Sequence, residues 1–146
     1  MLAGHGSAQT PLTQDQTLSI LDQGITPDAV EGKRVLVLTP DDTRTCPLPL
    51  MVRALVDRIA SHAARLDFMV ALGTHPPMSE EAIAGLYGYT LQEKASAIPD
   101  IGFLNHRWDL PDTFAEIGTI TADEIEEISG GLFSEELTVT INKMIF

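Results

Sequence analysis

The sequence predicts an α/β fold: a Rossmann-like, mainly parallel sheet with flanking helices, built as one domain. Three observations predict it. Two short apolar runs, "KRVLVL" (33–38) and "LDFMVAL" (66–72), read as strands buried on both faces of a parallel sheet. A long segment of helical period lies between them. Strand and helix signals then go on alternating to the end of the chain, which is the pattern of βαβ units. A chain of 146 residues with 44% hydrophobic and 21% charged residues fits one globular domain with a real core.

Each element has a local reason. Residues 1–10 are small and polar and are expected to be mobile, leaving 11–146 as the domain. Thr13 to Gln16 forms a capping-box pattern that opens a short helix, with Leu18 and Leu21 facing inward and Gly24 as its stop. The first strand, 33–38, leads into the loop "DDTRTCP". From Pro47 to Arg65 the period is helical, with Leu48, Val52, Leu55, Ile59 and Ala63 on one stripe. Pro47 and Pro49 fall at its start, where a missing N–H costs little. The second strand, 66–72, leads into "GTHPP". Ser79 then caps a helix with Glu80 and Glu81 in its first turn, ending near Gly88. Thr90 to Glu93 is a capping box for a helix reaching about Ile98. "IGFLN" (101–105) and "FAEIGTI" (114–120) read as strands. Thr121 to Glu124 is a further capping box, with Ile120 and Ile125 spaced as a hydrophobic staple and Gly130 as the C-cap. "LTVTIN" (137–142) alternates with period two and reads as a half-exposed strand. The apolar end "MIF" looks like a cut within a longer chain.

Charge and cysteine content exclude several function classes. A net charge of -12 argues against nucleic acid or an anionic membrane as partner, since both need clustered Lys and Arg. The stretch 109–136 carries only acidic charges and reads as a solvated face. Cys46 is the single cysteine, which rules out an internal disulfide and suits a reducing cytoplasm. It reads as a small buried hydrophobe rather than an activated thiol. No apolar run is long enough to span a bilayer, and no basic-then-apolar leader opens the chain.

The two loops are the candidates for chemistry. Both leave the C-terminal end of an expected parallel strand and enter a helix. Neighbouring strands joined by a right-handed crossover would place Asp41, Arg44 and His75 on one sheet edge, where ligands bind in open α/β sheets. Helix N-termini there would favour an anion. Arg44 would add a planar fork for carboxylate or phosphate, and His75 a proton carrier near neutral pH. Taken singly, each loop has a plainer account. Asp41 or Asp42 caps a turn, Arg44 pairs with one of them, and His75 is a satisfied loop histidine; the joint placement favours a site. Other motifs fail: there is no phosphate-binding G-x-x-x-x-G-K-[ST] loop, no G-x-G-x-x-G, no G-x-S-x-G elbow, and no metal-ligand spacing among His5, His62, His75 and His106. His62 is placed on the exposed side of its helix, and His106 in a hydrogen-bonding loop role.

The order D-x-T-R-x-x-P after a buried strand, then G-T-H-x-P before an acidic helix start, resembles the N-terminal domain of the nickel-pincer lactate racemase family. "HRWDLPDTFAEIGTI" and "ELTVTINK" are similar to that family in order and spacing, so the resemblance runs from about Pro11 to Phe146. It implies a racemase or epimerase of a small 2-hydroxy acid, an isomerase. A nickel-pincer nucleotide derived from nicotinic acid would take hydride from Cα and return it to the other face. On this sequence it makes Arg44 the carboxylate-binding residue, His75 an acid/base histidine and Asp41 the residue orienting His75 or Arg44. Thr43 and Thr74 are placed beside them as substrate-binding residues. The chain departs from the family pattern at Thr45, often Pro, and at Pro76, often Arg; these departures bear on substrate identity. The cofactor-tethering lysine, nickel-binding histidine and second acid/base histidine would lie in a C-terminal domain absent from this chain, so neither cofactor nor metal is expected on it. Two other readings compete: a non-catalytic module binding a small carboxylate or phosphate, and a structural domain docking a basic partner through 109–136.

Overall fold

The computed structural model describes residues 3–146. Of the expected mobile stretch 1–10, residues 1 and 2 lie outside the described residues, and 3–10 hold no helix or strand. The elements in order are α1 (Gln14–Gly24), α2 (Pro27–Val30), β1 (Arg34–Thr39), α3 (Leu48–Ile59), β2 (Arg65–Val70), α4 (Glu80–Leu86), α5 (Leu91–Ala97), β3 (Gly102–Asn105), β4 (Phe114–Ile120), α6 (Ala122–Ser129) and β5 (Leu137–Asn142). They fall into two compact units. The first is the chain through Leu72 together with Pro76–Asn105; the second is Gly73–His75 with His106–Phe146.

The first unit holds the parallel sheet, in the order β1-β2-β3. Val35 pairs with Leu66 and Thr39 with Val70, and Phe68 pairs with Phe103. The helical stripe of α3 is buried as its period predicts: Leu48, Val52, Leu55 and Ile59 pack with Leu66, Phe68 and Val70 of β2 and with Ile83, Ala84 and Tyr87 from α4 and its C-terminal turn. Phe68 and Tyr87 are fully buried. Phe103 meets Tyr87 edge-on, with ring centroids 4.8 Å apart. Burial pushes the Tyr87 hydroxyl up to about 12. That hydroxyl lies 2.7 Å from the hydroxyl of buried Thr39, so both polar groups are satisfied inside the core.

One charged residue interrupts β2. The carboxylate of buried Asp67 accepts from the Gly102 backbone N–H at 3.0 Å and from the Arg65 guanidinium at 3.1 Å. A Cβ at position 102 would collide with that carboxylate, which accounts for a glycine at the start of β3. Gly88 answers a different demand: its φ is +79°, and a Cβ there would sit 2.7 Å from Pro49 Cβ.

The structure corrects four expectations. The helix expected over 47–65 stops at Ile59, and Arg65 already belongs to β2. The turn between them is tied to the start of β1 by Gly32 N–H to His62 O (2.9 Å) and Ala64 N–H to Lys33 O (2.9 Å). His62 therefore lies in that turn rather than on a helix, with Nδ1 2.9 Å from Glu31 Oε2. β1 is not buried on both faces: it is an edge strand, and Leu38 is 54% exposed. The parallel sheet is also smaller than five strand signals suggest, because β4 and β5 pair only with each other.

That antiparallel β4–β5 pair forms the second unit's sheet, with Phe114 opposite Asn142 and Ile120 opposite Leu137, and a register irregularity between Glu116 and Gly118. α6 connects the two strands. Its Thr121–Glu124 capping box is complete, and Gly130 ends it in the left-handed region at φ +66°. The same reciprocal cap opens α1 at Thr13 and α5 at Thr90. At the α5 and α6 caps, hydrogen bonds from Thr90 and Thr121 hold Glu93 and Glu124 below the usual carboxylate range. Among the described residues no buried hydrophobic side chain lies in the second unit, and Ile128, Leu132 and Phe133 are largely exposed. No helix among them is long and apolar enough to cross a membrane.

Candidate functional site

The first loop is built around Asp41. β1 ends at Thr39, Pro40 turns the chain, and Asp41 is only 6% exposed. Its Oδ1 accepts from the Thr43 backbone N–H at 3.2 Å and from the Thr43 hydroxyl at 2.6 Å, an Asx-type turn. The Arg44 N–H closes the turn on the Asp41 carbonyl at 3.4 Å. A short, inward-facing carboxylate thus shapes the loop, while Asp42, Thr43, Arg44 and Thr45 stand exposed on it. The Thr43 hydroxyl spends its proton on Asp41, so towards a ligand it can only accept. Cys46 is half-buried against the core, as expected of a small hydrophobe.

The second loop begins beyond Leu72. Gly73 takes φ +60°, and Thr74 and His75 are exposed. The His75 carbonyl accepts the indole N–H of Trp108 at 2.9 Å. Trp108 sits in a tight turn: its own N–H donates to His106 O at 3.0 Å, Leu110 N–H donates to Arg107 O at 3.2 Å, and Arg107 clasps Asp109 with two hydrogen bonds of 2.8 and 2.7 Å. Those bonds hold the Asp109 carboxyl below its ordinary range. His106 is fixed in turn by buried Asn142. The Asn142 Oδ1 accepts Met144 N–H at 2.9 Å, so its amide nitrogen faces His106 Nδ1, also at 2.9 Å. Nδ1 is then the acceptor and the ring proton sits on Nε2. The imidazole meets Phe114 edge-on at 5.5 Å. His106 has the loop hydrogen-bonding role the sequence predicts.

Within the first unit, Asn105 holds the segment that follows His75. At the end of β3, its Oδ1 accepts Met78 N–H at 3.0 Å and its Nδ2 donates to Met78 O at 2.9 Å. Neither Asn105 nor Trp108 was singled out by sequence reasoning. For Asn105 the available signal was a side-chain amide closing an apolar strand; for Trp108 there was none beyond its being the single tryptophan.

Asp41, Thr43 and Arg44 share one loop of the first unit, whereas Thr74 and His75 belong to the second. Asp41 is the residue the resemblance makes an orienting group for His75 or Arg44; its Oδ1 accepts from Thr43. The helix N-termini were expected to offer free N–H groups to an anion. At α4 the Ser79 hydroxyl already takes Ala82 N–H, with Glu80 and Glu81 adding negative charge. At α3 the first turn contains Pro49, and Leu48 N–H is bonded to Cys46 O. A concavity lined by Glu80, Ala84, Leu91, Lys94 and Phe103 includes none of the predicted site residues. Among the described residues no group of three or more His, Cys, Asp and Glu side chains could hold a metal ion.

Comparison with known proteins agrees with these motifs. No curated protein matches the chain. The structure is similar to the crystal structure of a protein from Thermotoga maritima, at a TM-score of 0.69 and 26% sequence identity, over 93% of this chain. The match covers 31% of the Thermotoga maritima chain, so this chain spans under a third of that one's length. The family model for the lactate racemase N-terminal domain matches residues 16–145. The chain belongs to the lactate racemase N-terminal domain family.

Proposed function

We propose that this domain is the substrate-carboxylate half of a racemase or epimerase acting on a small 2-hydroxy acid. The observation that supports it most is the D-x-T-R loop: Asp41 is buried and engaged with Thr43, while Arg44 stands exposed on the same turn, in a chain whose family match spans that loop. In this reading Arg44 binds the carboxylate through its planar fork. His75 accepts the proton of the 2-hydroxyl and later returns it. Thr43, beside Arg44, and Thr74, beside His75, line the substrate. In this reading the nickel-pincer nucleotide is held by a further domain of the complete protein, in keeping with a chain that covers 31% of its Thermotoga maritima neighbour. A cytoplasmic setting belongs to the same reading and is supported by the single cysteine.

Arg44→Ala tests the binding half. In the full-length protein it raises KM for the 2-hydroxy acid by roughly 10–10²-fold, the equivalent of a charge-assisted hydrogen bond of about 1.5–3 kcal/mol, with a smaller effect on kcat. Steady-state kinetics checks this, and an unchanged KM contradicts the assignment.

A further inference from the structure

We propose that Trp108 is a positioning residue for His75: its indole N–H, bonded to the His75 carbonyl, fixes the backbone from which the imidazole projects. The inference rests on the reading of His75 as the proton carrier. It starts from the residues on either side of His75. Pro76 and Pro77 have no N–H to donate, and Gly73 before them is in the left-handed region at φ +60°. Pro76 confines the backbone of His75 to extended conformations, which turns its carbonyl out of any helical pattern. An exposed carbonyl in such a loop is ordinarily held only by water. Here it has a directional partner 33 residues away, at 2.9 Å.

Trp108 is itself braced on both sides. Arg107 and Asp109, its sequence neighbours, are joined by two hydrogen bonds, and the Trp108 N–H is tied to His106 O. His106 is locked to buried Asn142 on β5. A chain of directed bonds thus runs from the β4–β5 sheet through His106 and the Trp108 turn to the His75 backbone, all within the second unit. Trp108 is 40% exposed. An indole this exposed adds little to a core, so its fixed N–H is better explained by the atom it holds. Catalytic groups displaced by about 1 Å can lose ~10²-fold in rate, so holding the His75 backbone has a kinetic consequence.

The test uses Trp108→Phe, which keeps an aromatic ring and removes only the donor side of the indole. The chain has one tryptophan, so its indole N–H gives a single resonance in a 1H–15N spectrum. Slow solvent exchange of that N–H in the 146-residue chain, with a shift of the His75 ring signals in Trp108→Phe, is expected. In the full-length protein Trp108→Phe is expected to lower kcat on the order of tenfold and leave KM unchanged, because Arg44 still binds the carboxylate. A freely exchanging indole N–H, or Trp108→Phe with wild-type kcat while His75→Ala is inactive, overturns this inference and leaves the proposed function standing. Wild-type turnover in His75→Ala overturns the reading of His75 and this inference with it.

Discussion

Replacing His75 with alanine in the full-length protein lowers kcat by about 10²–10⁴-fold, the range that a positioned general acid/base contributes. The fold is expected to survive the change. His75 is exposed, its carbonyl rather than its ring meets Trp108, and the buried core lies among other residues. The loss therefore falls on turnover. KM changes little, since the carboxylate is bound through Arg44. Interconversion rates with a single enantiomer, measured beside a circular dichroism spectrum of the variant, check both parts. A variant that folds and turns over at the wild-type rate removes His75 from the mechanism. The pairing with Arg44→Ala is informative: one substitution acts on kcat and the other on KM, and a binding module without chemistry has no kcat to lose.

Phe68→Ala is expected to destabilise the domain by about 3–5 kcal/mol. Phe68 has no exposed surface and sits in β2, the central strand of the parallel sheet. Its ring lies 5.7 Å from that of Tyr87 and 6.0 Å, nearly perpendicular, from that of Phe103. Truncation leaves a void between α3, α4 and β3 that these rings cannot fill without giving up their edge-to-face contacts. It also loosens Tyr87, whose hydroxyl satisfies Thr39 at the end of β1, immediately before the Asp41 turn. Urea denaturation of the wild type and the variant measures the effect. A difference below about 1 kcal/mol would place the core elsewhere than on the two sides of β2.

What the sequence made legible was mainly local. The capping boxes at Thr13, Thr90 and Thr121 formed because each needs only residues three apart, and Gly130 ended α6 as a left-handed cap. The buried stripe of α3 followed from its period. Its end did not, because Ala60–Ala64 contains no glycine or proline, and the turn is fixed by bonds to Gly32 and Lys33 that lie far off in sequence. Asp67 sat unremarked in an apolar run; its partners Arg65 and Gly102 become visible only once β2 and β3 are paired. For the site, the types and order of Asp41, Arg44 and His75 were enough to pick out the two loops. The turn that Asp41 makes with Thr43 and the Ser79 cap of α4 were legible as well, because both are side-chain-to-backbone bonds between residues two or three apart. Trp108 was out of reach: its partner is a backbone carbonyl, which has no residue identity to read.

The central claim is that this domain serves the interconversion of 2-hydroxy acid enantiomers. The most direct measurement incubates one enantiomer of lactate or a close 2-hydroxy acid with the full-length protein charged with nickel-pincer nucleotide, and follows the opposite enantiomer by chiral chromatography. The account predicts that the opposite enantiomer accumulates with wild type and fails to do so with His75→Ala. Binding of the hydroxy acid without any opposite enantiomer, across the wild type and a panel of 2-hydroxy acids, would contradict it and leave the Asp41–Arg44 loop as an anion-holding device without chemistry.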